Sequence, residues 1–346
     1  MTPEQIKKIK QVKDIFIPTN TLKSMLDTMK KIREIGVIDG HENSPDCMFV
    51  TGETGVGKTT FIEQYLKKHS RYDVEESDGE RTIVPVLYCS LPKAKHPKPV
   101  VAEILRMLGD ELQGDYGDVA KLTDRLVKQL KEAKTELLII DEFQHAIETT
   151  NKNVIQEIGE WFKIFINKAK IPIVFLGVPW SRPVLEINAQ LKRRVRNRKF
   201  IIPNYTLDTF DEFQMFLQKV EQALPLKPFQ PIWQLDFAFR LFAVSKGNLS
   251  ELMEGVIVPA CIQAIYEDSG VITADHFIKA VENNTDWHEE NNPLLIKKIE
   301  DIEALQQDTD SLWNPLAKKL ENRVIDATYA TVKFSDLNLK DLLSKR

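Results

Sequence analysis

Residues 52–59 read Gly-Glu-Thr-Gly-Val-Gly-Lys-Thr, a complete G-x-x-x-x-G-K-[ST] loop. No other stretch limits the fold as tightly. Such a loop works only between a buried strand and the first turn of a helix, where backbone N–H groups converge on phosphate oxygens. Met48-Phe49-Val50 supplies the apolar strand, and Phe61, Ile62, Tyr65 and Leu66 give the helical period behind the loop. Gly52, Gly55 and Gly57 allow the tight backbone path. Lys58 is placed to reach the β- and γ-phosphates, and Thr59 to ligate Mg²⁺. Gly52, Glu53, Thr54, Gly55, Val56, Gly57, Lys58, Thr59 and Thr60 are therefore the expected nucleotide-binding residues, with ATP and Mg²⁺ as the expected cofactors.

The rest of the composition sets outer limits. With 346 residues, 42% apolar and 28% charged, the chain can bury two or three packed units. No stretch approaches the ~20 apolar residues of a membrane span. The segment 1–18 carries Lys7, Lys8, Lys10 and Lys13 but no long apolar core, so it does not read as a signal peptide. Cys47, Cys89 and Cys261 stand far apart among apolar neighbours. They read as buried thiols in a reducing cytoplasm rather than disulfides or a zinc site. The net charge of −4 gives no overall nucleic-acid bias. Cations are nonetheless concentrated at 192–199 (Lys-Arg-Arg-Val-Arg-Asn-Arg-Lys) and 93–98 (Lys-Ala-Lys-His-Pro-Lys). Each cluster fits a localised polyanion contact or an ordinary solvated surface.

Along the chain, strands and helices alternate. Residues 1–40 read as a basic helical segment with Leu22, Met25, Met29 and Ile32 at helical spacing. After the P-loop come a strand over 81–90, helices over 97–112 and 119–133, a strand over 136–140, a helix over 154–168 and a strand over 171–176. The pattern predicts a doubly wound α/β unit with a buried parallel sheet. From Leu207 onward strands are expected to stop, and 210–223, 233–244, 249–265 and 274–282 read as helices of a lid. Ile296, Ile299, Ile302 and Leu305 suggest one more helix. Phe334, Leu337, Leu339, Leu342 and Leu343 mark a tail that either packs on the core or anchors a partner. The expected organisation is a helical segment 1–40, an α/β core 41–205, a helical lid 206–284 and a C-terminal extension 285–346 that could dock partners.

The strand Leu137-Leu138-Ile139-Ile140 ends in Asp141-Glu142. Asp141 suits the carboxylate that holds Mg²⁺, and Glu142 the base that polarises an attacking water. One extra strand and two helices separate Lys58 from Asp141, as in additional-strand ATPases of the AAA+ class, and the helical lid points the same way. In that class the nucleotide lies between subunits, and an arginine of one completes the site of the next. Gln190-Leu-Lys-Arg-Arg-Val, before a strand at 199–202, is where such a finger would fall. Arg194 is the expected finger, with Arg193 the alternative.

These residues together resemble the TnsC/TniB transposition ATPases. The likeness is carried by Phe16-Ile17-Pro18-Thr19, by the loop Gly52–Thr59, by Ile140-Asp141-Glu142-Phe143-Gln144-His145, and by Phe175-Leu-Gly-Val-Pro followed by 190–195. It covers about residues 10 to 265. The resemblance implies a bacterial cytoplasmic ATPase that forms homo-oligomeric rings or filaments on duplex DNA. It further implies links to a transposase and to a TniQ-like target selector, with or without an RNA-guided complex. The implied DNA contacts are Lys98 at a helix head, then Lys95 and Lys121, through phosphates rather than bases. Two positions depart from the family pattern. Val178 stands where a Thr or Ser often senses the γ-phosphate, with Ser181 nearby, and Ser250 where an initiator-type arginine would fall. Both departures fit slow, regulatory hydrolysis. A helicase loader or replication-initiation ATPase, and a nucleotide-gated signalling or defence ATPase that does not act on DNA, are the alternative readings.

Overall fold

A computed structural model of the chain describes every residue except 77–78, 147, 149–151, 183–184, 186–188, 315 and 339–346. Five parallel strands form the central sheet. They are β1 (Met48–Gly52), β4 (Val86–Ser90), β5 (Leu137–Asp141), β6 (Ile173–Gly177) and β7 (Lys199–Ile202), in the order β4-β5-β6-β1-β7. β1, β5 and β6 are buried over all five residues, as short apolar runs covered on both faces must be. Alternate residues point to opposite faces. Phe49, Leu138, Ile140 and Phe175 join one core with α4 (Pro97–Leu108), α5 (Val119–Glu132) and α6 (Lys152–Ala169). Met48, Val50, Leu137, Ile139 and Val174 join the other with α2 (Asn20–Ile38) and α3 (Lys58–Lys68).

The residues spaced at a helical period near the N-terminus, Leu22, Met25, Met29 and Ile32, are the buried residues of α2. The first helix, α1 (Pro3–Lys13), goes elsewhere. Val12 enters the core of the lid, and the Gln5 and Gln11 amides donate to the carbonyls of Ile265 and Ala223. The lid helices are α8 (Phe210–Ala223), α9 (Leu235–Ser245), α10 (Leu249–Tyr266) and α11 (Ala274–Asn284), with α7 (Ala189–Val195) lying before β7. By length and composition alone α10 could span a membrane. Here Leu252, Val256, Ile257, Ala260 and Cys261 are buried in the lid core. A π turn at Met253–Ile257 interrupts it just before Pro259. A proline there has no N–H for the carbonyl one turn earlier, and widening the helix relieves that conflict.

Three expectations fail. The strand read over 81–90 is two strands. β3 (Gly79–Ile83) pairs antiparallel with β2 (Tyr72–Glu76) in a hairpin outside the main sheet, and only β4 joins the sheet. Pro85 lies between them and has no N–H to donate to a ladder, while its carbonyl accepts from Glu136 and Leu137. Strands also continue beyond Leu207, first as the short parallel pair β8 (Lys227–Pro228) and β9 (Val271–Ile272). The helix expected over 296–305 is instead a 3₁₀ turn at Ile299–Asp301 followed by β10 (Glu303–Thr309). Ile302 and Ala304 are fully buried and Glu303 exposed between them, a period of two that the wider spacing hid. β10 pairs with β13 (Thr328–Lys333), and the short strands β11 (Leu312–Trp313) and β12 (Val324–Ile325) pair between them. Of the tail, Leu337 and Phe334 pack on the lid, Phe334 edge-on to Phe239 at 5.4 Å. Leu339, Leu342 and Leu343 lie outside the described residues.

The cysteines are as expected: all three are free and buried, and burial pushes each thiol up to about 12. A cluster of aromatic rings surrounds Phe143, just past β5. Its ring meets Phe49, Phe162 and Phe175 at centroid distances of 5.8, 5.6 and 4.7 Å. Phe143→Ala is expected to cost about 3–5 kcal/mol of stability. Urea unfolding of the variant against wild type measures it, and an unchanged midpoint would contradict this placement of the core.

Candidate functional site

β1 leads into the P-loop and β5 into Asp141, and only β6 separates them. Two strand spacings put their ends about 10 Å apart, close enough for one ligand to touch both. The loop is built for close approach. Gly55 and Gly57 have φ of 83° and 91°, the left-handed region that favours glycine. A Cβ at Gly52 would meet the Ile202 carbonyl oxygen at 2.6 Å. α3 starts at Lys58 and directs its free N–H groups at the loop.

A cleft of about 350 Å³ opens here. Thr54, Gly55, Gly57, Lys58, Thr59, Thr60, Glu142 and Gln144 form its polar end, with Gly177 and Val178. Ile15, Phe16, Ile17, Phe216, Leu249, Met253 and Val258 form its apolar end. One end thus suits a polyphosphate and the other a flat base. Val56 is buried beneath the loop, and the Glu53 carboxylate turns aside to accept from the Ser311 N–H at 2.7 Å.

Lys58 is buried, and its Nζ donates to the carbonyls of Gly52 and Glu53 at 2.6 and 2.9 Å. Burial lowers its pKa, and the charges of Asp141, Glu142 and Glu53 oppose that shift. A buried cation held on carbonyls gains from an anion in the cleft, so the residues present fit a triphosphate. Asp141 is buried and accepts from the Tyr88 hydroxyl at 2.9 Å. Burial and then Asp141 raise the Tyr88 pKa, which keeps that hydroxyl a donor. A carboxylate and the Thr59 hydroxyl are hard oxygen ligands of the kind Mg²⁺ takes alongside phosphate oxygens and water. Among the described residues no cluster of three His, Cys, Asp or Glu side chains could hold a metal by itself.

Glu142 follows Asp141 with φ of 54°, an uncommon left-handed conformation for a non-glycine residue. Its N–H donates to Asp141 Oδ1 at 2.7 Å, and its carboxylate accepts from the Gln144 side chain. His145 donates from Nδ1 to the Leu91 carbonyl at 2.7 Å, which fixes the turn to the strand beside it.

The lid reaches the loop through Asn248, the N-cap of α10. Its side-chain amide donates to the Thr54 carbonyl at 2.9 Å and to Asn204 at 3.0 Å, while its oxygen accepts from Ser250 and Glu251. Gly247 makes this possible. A Cβ there would lie 2.0 Å from the Tyr205 carbonyl oxygen. Ser250 lines the cleft and its hydroxyl bonds Glu254.

The remaining expected site residues lie outside the cleft. Arg194 precedes β7, and its carbonyl accepts from the N–H of Cys47 just before β1, at the end of the sheet opposite the P-loop. Its guanidinium donates to Ser44, Asn167 and the Pro45 carbonyl of its own chain. Arg193 is exposed. Lys98 is half-buried at the head of α4, and Lys95 is exposed just before it. Lys121 is exposed in the first turn of α5. Gly114 packs on Ala102, one turn from Lys98, so the intervening loop doubles back along α4. In the 93–98 cluster, Lys93 is paired with Glu148 at 2.9 Å.

The roles of the apolar end of the cleft, of Gln144 and of Asn248 were not read from the sequence. Phe16, Ile17 and Gln144 stood out only as parts of shared strings. Asn248 carried an N-cap signal, a short polar residue after Gly247 and before an apolar helix.

The sheet order, the P-loop, the Asp-Glu strand end and the lid define an AAA+ ATPase. Within that class the chain belongs to the TniB family: the family described as "Bacterial TniB protein" matches residues 5–204. No curated protein matches it significantly. Among solved structures it is similar to the Aeropyrum pernix ORC1 protein in complex with DNA, at 14% identity and a TM-score of 0.51. That match covers 78% of this chain and 66% of the other, just under two thirds. It is also similar to the Aeropyrum pernix ORC2 protein in its ADPNP–ADP complexes, at 17% identity and a TM-score of 0.54, covering 82% and 74%. Cdc6p from Pyrobaculum aerophilum matches at 13% identity and a TM-score of 0.50, covering 75% and 68%. At these identities the likeness is one of fold.

Asn248→Ala removes the lid's side-chain bond to the loop. It is expected to weaken nucleotide affinity about 5- to 30-fold, the equivalent of one or two hydrogen bonds. Isothermal titration with an ATP analogue measures this, and wild-type affinity would show that the bridge does not matter for binding.

Proposed function

We propose that this chain is an ATP-dependent regulator of DNA transposition. It binds duplex DNA without sequence preference, oligomerises on it as a ring or filament, and links a target-selection complex to a transposase. The observation that carries this reading is the make-up of the cleft. Its walls come from the N-terminal segment, the sheet and the lid, so a nucleotide bound there ties three parts of the chain together. A nucleotide in that position suits a switch of subunit shape, and membership of the TniB family supports transposition as the process it serves.

The residue roles follow. Lys58 and the loop hold the triphosphate, Thr59 and Asp141 hold Mg²⁺, and Glu142 orients the attacking water. Bound Mg²⁺ would offset charge on the phosphates. Arg194 lies at the end of the sheet away from its own cleft, which supports action on a neighbouring subunit. Its bonds to Ser44, Pro45 and Asn167 must then be exchanged on assembly, whereas exposed Arg193 would need no such exchange. Hydrolysis would be slow and would time disassembly. Lys98, with Lys95 and Lys121, would neutralise DNA phosphates. One solved protein of the same fold is itself in complex with DNA. A TniQ-like selector and a transposase are the proposed protein partners, in a bacterial cytoplasm.

Co-sedimentation with duplex DNA tests the reading. With a non-hydrolysable ATP analogue, wild-type protein should form a large species on DNA of any sequence, and Lys58→Ala should not. Lys98→Glu should weaken DNA binding uniformly across sequences with a shallower salt dependence, leaving nucleotide affinity intact. A protein that stays monomeric on DNA with the analogue would contradict the proposal.

A further inference from the structure

The end of β6 faces the polar end of the cleft with little chemistry of its own. Val178 has no polar side-chain atom. Ser181 is fully buried, and its hydroxyl is committed to the Val178 carbonyl at 2.7 Å. Into this gap comes Gln144, which lines the cleft beside Gly177, Val178 and Glu142. Its Oε1 accepts from the Val178 N–H at 3.3 Å, and its Nε2 donates to the Glu142 carboxylate. The amide cannot be reversed. Turning it over would set donor against donor at Val178 and oxygen against oxygen at Glu142. Gly177 leaves room for this arrangement, since a Cβ there would meet Gln144 Oε1 at 3.1 Å and Ser181 Oγ at 2.7 Å.

A primary amide carries two N–H donors. One is used on Glu142, which leaves the second for a ligand of the cleft that Gln144 lines. Phe143, rooted among three aromatic rings, holds the backbone between Glu142 and Gln144. We infer that Gln144 is a positioning residue that contacts the terminal phosphate of a bound triphosphate and aims the Glu142 carboxylate at the attacking water. A neutral amide can touch a carboxylate and a phosphate together, which a second carboxylate cannot do without repulsion and a cation would do only by neutralising Glu142. Loss of the terminal phosphate removes one of its partners, so Gln144 distinguishes ATP from ADP. The aiming role rests on the reading of Glu142 as the residue that activates water.

Two variants of the full chain test this, each assayed for ATP and ADP affinity, kcat, KM and thermal midpoint. Gln144→Met keeps length and burial and removes both hydrogen bonds. It is expected to bind ADP within about twofold of wild type, to lose about tenfold of the preference for ATP over ADP, and to lower kcat about 100-fold. Gln144→Glu keeps an acceptor for Val178 but sets a carboxylate against Glu142 and the phosphate. It should weaken ATP more than Gln144→Met does while sparing ADP. Wild-type discrimination and turnover in both variants would overturn the inference. So would equal losses for ATP and ADP with a lowered thermal midpoint, which would mark a purely structural role. Glu142→Gln separates the two claims. If it hydrolyses ATP normally, the base assignment falls and the aiming role with it. If it is inactive while both Gln144 variants behave as wild type, the inference about Gln144 alone fails.

Discussion

The site depends on one buried ring. Phe143 fills the space between Phe49 on β1, Phe175 on β6 and Phe162 on α6. It ties the two chemical strand ends to one helix, and its neighbours in sequence are Asp141-Glu142 on one side and Gln144 on the other. Close-packed interiors transmit small displacements instead of absorbing them. The Glu142 carboxylate, the Gln144 amide and the P-loop strand are therefore held in register by a contact that no nucleotide touches. The left-handed backbone at Glu142 is a conformation that persists only when its surroundings over-determine it, and the aromatic cluster supplies that surrounding.

A second set of contacts joins chain segments far apart in sequence around the same cleft. Asn248 links the lid to the Thr54 carbonyl and to Asn204. Asn204 donates in turn to Gln307 on β10. Beyond that strand, Asp310 pairs with Arg182, whose Nε donates to Thr51 at the end of β1. Ser311 donates to Glu53 in the loop itself. Trp313 stacks on Trp180 at 5.5 Å, and the Arg323 guanidinium lies over the Trp313 ring at 5.6 Å from its centroid. The C-terminal strands thus brace the P-loop and the turn after β6. Individually such polar contacts contribute little. Together they connect the lid, the loop and the C-terminal strands by an unbroken chain of partners, which suits a protein whose nucleotide state must be felt away from the nucleotide.

Much of the core was legible because its signals are local. Short apolar runs gave β1, β5 and β6, and the 3.6-residue period gave α2 and the lid helices. What the sequence hid is long-range. Pro85 inside an apolar stretch looked like part of a strand, and only its failure to pair turned 81–90 into two. Ile296, Ile299, Ile302 and Leu305 match a helical spacing, yet Ile302 and Ala304 are buried two apart because β13 arrives from further along the chain to pair with β10. The P-loop and Asp141-Glu142 were readable from motifs that encode their own geometry. Gln144 and Asn248 were not, since an amide's partners are chosen by the fold and leave no spacing to detect. The apolar end of the cleft draws Ile15 and Ile17 from one end of the chain and Phe216, Met253 and Val258 from another, and no periodicity links them.

A nucleotide bound in this one cleft should couple the separated segments that line it. Hydrogen exchange of the full chain, with and without a non-hydrolysable ATP analogue and Mg²⁺, reads that coupling. The analogue is expected to protect residues 13–17, 54–60, 142–144 and 249–258 together. Protection confined to the P-loop, with the N-terminal segment and the lid unchanged, would contradict it.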